Sequence, residues 1–508
     1  MAPLRACQNP VRFLGHDVIG FTTENPSSTH ASAADPGGAP RLSVREKSLY
    51  AAGDLADGIT NVSLGTFLLF YLTAVCGLPG SLAGAAVAIS LMVDAVVDPL
   101  IGYISDNTRS RWGRRHPYMF ASAIPFAGAL GMIYSIPAFE STWALFAYVV
   151  AVLIVLRVSF STFVLPYAAV GAELSKDYTE RSVILTYRNF FNICANVSCV
   201  VLGFGVFMSG ADGLTTRAAY SPFGWVCAGI VLVSVLVSAR STLALRHRLQ
   251  APAANARSAV ARFAGEIIDV FRNRSFRVLF LTVLVFWVAQ GTAGSLSVHA
   301  FRYFWELPSS VIQNILILGT VGLMCGIPVC AALLGRFEKR DISAGGLALI
   351  CLCLFLPPTL SVAGLMPEIG FALYATLATF QVAIGCSATC VSITFGSMMI
   401  DAADEHDLLF GVRREALYFA GLVFSGKCAV GIGSMIAGVA LDLIGFPKDL
   451  GVNPGQVIPP DTLRSLGLIF GPGTSCISAL SVAMLLRYRL DRRALVRIQR
   501  ELTQRNAH

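Results

Sequence analysis

Apolar positions in this chain come in long unbroken runs rather than in the one-face stripes of a soluble helix or the alternation of a strand. A segment crossing a bilayer as a helix needs about 20 mostly apolar residues. Twelve segments qualify, at 48–76, 80–104, 117–137, 142–170, 184–208, 219–244, 276–304, 309–335, 341–364, 369–399, 415–444 and 463–488. The run Leu145 to Leu156 makes the fourth the strongest. The first is the weakest, because Asp54, Asp57 and Asn61 interrupt its pattern. Glycines and prolines inside the spans do not count against them, since helices in lipid tolerate both. Continuous runs also exclude a membrane β-barrel, whose strands alternate. The expected fold is an all-α membrane protein of twelve transmembrane helices.

The polar connections sort by side. Alternate loops hold Arg109, Arg111, Arg114 and Arg115; Lys176 and Arg181; then Arg246, Arg248, Arg257, Arg262, Arg272, Arg274 and Arg277; then Arg336, Lys339 and Arg340; and finally Arg413 and Arg414. Both ends of the chain are basic, with Arg41, Arg45 and Lys47 at one and a run of arginines from Arg487 to Arg505 at the other. The opposite loops hold little beyond Arg217, Lys448 and Arg464. This bias places both termini in the cytoplasm and requires an even number of spans. It suggests a cytoplasmic tail at 1–42 too polar to fold, a six-helix bundle at 43–245, a cytoplasmic loop at 246–275 with an amphipathic helix from Val260 to Phe271, a second six-helix bundle at 276–490, and a basic cytoplasmic tail at 491–508.

Composition agrees. Hydrophobic residues make up 55% of the 508 and charged residues only 13%, with mean hydropathy +0.67. That is about half the charge of an ordinary soluble domain. The net charge of +8 is spread over every second loop, so it reads as topology rather than nucleic-acid binding. Thirteen cysteines form no CxxC pair and read as small packing residues, with no metal site or disulfide.

With charge so scarce, ionisable groups inside spans become candidates for function. Asp94 and Asp98, followed by Pro99, lie four apart on one face of the second span. Two carboxylates so close in a dry site need a proton, a bound Na⁺ or Li⁺, or a basic side chain. The competing reading has Asp98 end a turn before Pro99 and pair with a loop arginine. Lys427, set among small residues in the eleventh span, is placed to balance the acids across the cavity or to form a purely structural ion pair. Arg188, Asn192 and Asn196 recur every four residues with Asn189 alongside, a stripe suited to a wet cavity, unless Arg188 is only an interfacial anchor. Asp57 points toward the same cavity, whereas Asp54 reads as structural. Arg157 and Ser161 are again four apart. Trp287 is a stacking face or plain packing, and His299 an interface residue.

The loop after the second span, with Asp106, Arg109, Arg111, Gly113, Arg114 and Arg115, suits a charged latch between helices, or topogenic charge alone. The halves also echo each other. Glu173, before Lys176 and Arg181, corresponds to Asp401, before Arg413 and Arg414. Such repeats mark transporters whose site lies between two halves.

The pattern Asp94-x-x-x-Asp98-Pro-Leu-Ile-Gly102-x-x-x-Asp106-x-Thr108-Arg-Ser-Arg-Trp-Gly113 resembles the glycoside–pentoside–hexuronide:cation symporters of the major facilitator superfamily, of which the melibiose permease is the best known. The likeness extends to Tyr187 through Phe191 and from Asp401 through Glu405 and Arg413 to Lys427. It implies alternating access and cation-coupled uptake. Asp94 and Asp98 fall on the family's cation carboxylates and Ser161 on a hydroxyl ligand; Arg188 and Lys427 fall on cavity residues for sugar binding and charge balance. Four positions depart. Val97 replaces an amide, leaving H⁺ as open as Na⁺. Val164 and Ala168 replace a sugar-binding acid and its aromatic neighbour, and Asp57 is one position off a further acid.

The expectation is thus a monomeric secondary carrier without cofactor, importing a sugar or related small solute with H⁺ or Na⁺. The cation site is Asp94, Asp98 and Ser161. The solute site is Asp57, Arg188, Asn192, Trp287 and Lys427. The cytoplasmic gate is Asp106, Arg109, Arg111, Arg114, Glu173, Asp401 and Arg413. The alternatives are a lysolipid or amphiphile carrier of the same fold and a membrane sensor that does not transport. An enzyme is disfavoured, because no metal cluster or nucleophile–base pair appears.

Overall fold

A computed structural model describes residues 41–175, 177–210, 212–245, 269–412, 414–448, 450 and 456–506. The N-terminal tail, most of the 246–275 loop, Lys176 and Arg413 lie outside the described residues. Every regular element among those described is helical.

We number the helices α1 (Val44–Ala51), α2 (Asp54–Val62), α3 (Gly80–Asn107), α4 (His116–Ile133), α5 (Thr142–Glu173), α6 (Tyr178–Val200), α7 (Arg217–Ala244), α8 (Arg274–His299), α9 (Ser309–Leu334), α10 (Lys339–Val362), α11 (Phe371–Phe410), α12 (Glu415–Leu443), α13 (Pro460–Leu468), α14 (Thr474–Leu485) and α15 (Arg492–Asn506). Wider π-helical turns extend α2, α6, α8 and α13 at their C-terminal ends. Ten segments are long and apolar enough to cross a membrane, counting α6 and α8 with their π turns and α13–α14 as one. Two expected spans do not qualify as single helices. The third is α4, which is 18 residues long and opens on His116 and Pro117. The first is broken at Ala52–Gly53 into α1 and α2.

That break is stabilised from outside. The Ser238 hydroxyl of α7 donates to the Tyr50 carbonyl at 3.1 Å, and Ser234 donates to the Ala52 carbonyl at 2.6 Å. Carbonyls released by the interruption thus keep partners, as a buried backbone requires. Capping follows the sequence elsewhere. Ser43 and Glu46 form a reciprocal capping box on α1, Asp177 accepts from Thr179 and Glu180 at the start of α6, and Asn273 accepts from Phe276 at the start of α8.

Helices α2 to α7 pack on one another, chiefly α4 on α5 and α7, α3 on α5, and α2 on α6. Helices α8 to α14 do likewise, with α9 and α10 on α11, and α12 and α14 on α8. The largest contact between the two sets is α3 against α12. It is closest where Gly80 meets Gly438. A methyl at either position would strike the other's carbonyl, so only glycine allows this approach. Asp442 tightens the same end, accepting from the Gly80 and Ser81 amides at 2.9 and 2.8 Å. Thr73 and His299 add a 2.9 Å hydrogen bond between the sets.

Further along the pair, Gly431 packs against Ala88 and Leu91. Further along still, Lys427 of α12 reaches Asp94 and Asp98 of α3. The closest backbone approach between the two sets is thus at the Gly80–Gly438 end.

Candidate functional site

Lys427 of α12 faces α3. Its ammonium is 2.8 Å from Asp94 Oδ2 and also pairs with Asp98 Oδ2. The four-residue spacing turns both carboxylates toward α12, and the small residues around Lys427 bring that helix within reach. Of the three ways to neutralise the acids, the structure shows the basic side chain. Asp94 is fully buried, and the Ser161 hydroxyl of α5 donates to its other oxygen at 2.5 Å. Asp98 Oδ1 is buried without a hydrogen-bond partner. Asp94, Asp98 and Ser161, the three residues expected at the cation site, therefore meet, with the Lys427 ammonium between the two carboxylates.

A second polar group lies between α2 and α6. Arg188 holds Asp54 with two hydrogen bonds, Nε to Oδ2 at 2.7 Å and an Nη to Oδ1 at 3.0 Å. Tyr167 of α5 donates to Asp54 at 2.9 Å, and its ring lies under the guanidinium at 4.8 Å. Such a bidentate pair is rigid and strong. Arg188 thus has a structural partner that the sequence did not suggest. Asp57 instead accepts from two amides, Asn61 at 3.0 Å and Asn192 at 2.9 Å. It is a carboxylate with neutral donors and no ion pair among the described residues. Asn196 continues the stripe with a 3.4 Å contact to Asn192. Trp287 is 36% exposed and lies beside Gly426, next to Lys427, so its ring reaches the lysine's surroundings.

At the C-terminal end of α3, Asp106 accepts from Arg115 at 2.8 Å. Arg115 also reaches Glu173 of α5 at 2.9 Å, and Arg114 pairs with Glu173. Gly113, at φ +90, supplies the left-handed turn that brings both arginines back between the helices. Asp106, Arg114 and Glu173, three of the residues expected at the gate, thus lie in one ion-paired cluster between α3 and α5. It is completed by Arg115, while Arg109 and Arg111 stand exposed outside it. Asp401 pairs with Lys339 of α10 at 2.6 Å. His299 is fully buried on the contact between the two sets, as an interface residue.

Residues 49–492 match the family of MFS/sugar transport proteins. The chain belongs to that family. Its relatives include an uncharacterized symporter of Synechocystis sp., 28% identical over 84% of this chain and 90% of the relative. An isoprimeverose transporter of Lactiplantibacillus pentosus is 22% identical, covering 82% and 85%. The glucuronide carrier protein homolog of Escherichia coli is also 22% identical, covering 80% and 85%. Among solved structures, the nucleoside transporter NupG superposes with TM-score 0.61 at 13% identity, over 88% of this chain and all of that one. A bacterial homologue of the iron transporter ferroportin gives 0.61 at 11%, over 88% and 99%. The fold is that of major facilitator transporters, and the chain is an integral membrane protein.

Proposed function

We propose that this chain is a symporter that drives a sugar or related small solute across the membrane with H⁺ or Na⁺, by alternating access. The observation that carries the reading is the Lys427 ammonium lodged between Asp94 and Asp98. In the unloaded carrier the lysine pairs with both acids and offsets one of their two negative charges. When a proton or Na⁺ takes its place, beside the Ser161 hydroxyl, Lys427 is released toward the cavity and its charge becomes available to a solute. Cation and solute sites then share one residue, a direct physical link between them. Asp57, Asn192 and Trp287 supply a hydroxyl acceptor, an amide and a stacking face for the solute; Arg188, held by Asp54, borders them. The named activities of the isoprimeverose and glucuronide relatives support a sugar-like solute.

In this reading both termini are cytoplasmic and the chain is monomeric. Residues 43–245 and 276–490 form the two rocking halves. Twelve crossings result when the broken α1–α2 segment and α4 are counted with the ten membrane-length helices. The contact at Gly80–Gly438 then closes the outer side, and the Asp106–Arg114–Arg115–Glu173 latch and the Lys339–Asp401 pair brace the cytoplasmic ends. Uptake by proteoliposomes under imposed H⁺ or Na⁺ gradients tests the reading, with solutes chosen by a thermal-shift panel. Accumulation above equilibrium under one gradient is expected. Flux indifferent to both gradients would sink coupling, and uptake confined to acyl-chain substrates would favour the lipid-carrier alternative.

A further inference from the structure

Arg157 is the charged residue at this centre for which the cation and solute roles give no use. It sits on α5 one turn before Ser161, is 8% exposed, and its Nε is buried without a hydrogen-bond partner. Its guanidinium makes no hydrogen bond or ion pair among the described residues. The acids whose charge reaches it are Asp94, Asp98 and Asp57. Each is engaged elsewhere: Asp94 with Ser161 and Lys427, Asp98 with Lys427, and Asp57 with Asn61 and Asn192. A guanidinium is always protonated and carries five donors, so burying one without partners is costly.

We propose that Arg157 receives an anionic group of the transported solute, a carboxylate or phosphate on a sugar-sized molecule. The proposal rests on the reading that this cavity binds a sugar-like solute, and it names the chemical class. The planar fork of arginine matches both anions with paired hydrogen bonds. Its place one turn from Ser161, which holds Asp94, and within the field of Asp57, which Asn192 holds, lets a bound solute present its anion to Arg157 and its hydroxyls to Asp57 and Asn192. A cation at Asp94 then lies one helical turn from the solute's negative charge. Each ligand strengthens the site for the other, and that mutual attraction is a coupling between them. A purely structural arginine, acting only as a distant counter-charge to Asp94 and Asp98, would behave differently.

The test is equilibrium binding to the purified full-length protein at fixed pH and Na⁺. The probes are methyl β-D-glucuronide, D-glucose 6-phosphate and the neutral methyl β-D-glucoside, with wild type, Arg157→Gln and Arg157→Lys. At least one anionic sugar should bind the wild type about tenfold or more tightly than the glucoside, as a charge-assisted pair provides. Arg157→Gln should abolish that preference while shifting glucoside binding by no more than about threefold, and Arg157→Lys should keep part of it. Without ligand, Arg157→Gln should melt no lower than wild type, because the change removes an unpaired buried charge. The proposal is overturned if wild type shows no preference for either anion, if the preference survives Arg157→Gln, or if Arg157→Gln lowers the ligand-free melting temperature, the mark of a structural counter-charge. Binding needs no gradient, so a failure of coupled transport would be read separately.

Discussion

Replacing Lys427 by Met removes the single cation between two buried carboxylates. At an effective dielectric of about 20, charges 2.8 Å apart attract by roughly 6 kcal/mol. Desolvation of the ions offsets much of that, and the measured consequence of removing one member of a buried pair is about 3–5 kcal/mol. Asp94 is fully buried and Asp98 is 19% exposed, and the Ser161 hydroxyl is the one hydrogen-bond donor left to Asp94. Thermal and denaturant unfolding of the purified protein, in buffer free of Na⁺ and followed by tryptophan fluorescence, should show Lys427→Met less stable by about that amount. The triple variant Asp94→Asn, Asp98→Asn, Lys427→Met should recover most of the loss, since an ion pair replaced whole is often near neutral. Full stability of the single variant, or no recovery in the triple, would refute a buried lysine–dicarboxylate centre.

Other variants probe the remaining contacts. Arg188→Leu leaves Asp54 buried with only Tyr167, and should cost about 3–5 kcal/mol in unfolding, a loss that Asp54→Asn in the same chain should largely restore. Gly438→Val forces a side chain against the Gly80 carbonyl and should destabilise by about 1–3 kcal/mol or part the helices, seen as new reactivity of a cysteine placed at Ser81. Asp442→Ala removes the acceptor for two amides at the start of α3 and should lower stability by about 0.5–2 kcal/mol. Glu173→Gln weakens the hold on Arg114 and Arg115, and should raise proteolysis of the 108–115 loop without abolishing solute binding.

The spans were legible because a bilayer tolerates few alternatives to about 20 apolar residues. Asp94, Asp98 and Lys427 were legible for the same reason: a charge within such a run is conspicuous, and four-residue spacing assigns it a face. Pairing across the molecule was not. Arg188 had two candidate acids three residues apart, Asp54 and Asp57. The choice depends on the break at Ala52–Gly53 and on Tyr167 from α5, neither of which a hydropathy pattern encodes. In the latch, neighbouring arginines look alike in sequence, and the turn at Gly113 decides that Arg115 faces inward while Arg109 does not. Asp442 capping a helix some 360 residues earlier is a tertiary event with no local trace. Arg157 was visible beside Ser161, but its lack of a partner emerges only once every neighbour is placed.

The central claim, that Asp94 is where the driving cation binds, is tested most directly by comparing gradient-driven and gradient-free solute flux in proteoliposomes of wild type and Asp94→Asn. Wild-type uptake should rise steeply with an inward H⁺ or Na⁺ gradient, and Asp94→Asn should lose that stimulation. Asp94→Asn uptake that still responds fully to the gradient would contradict the account.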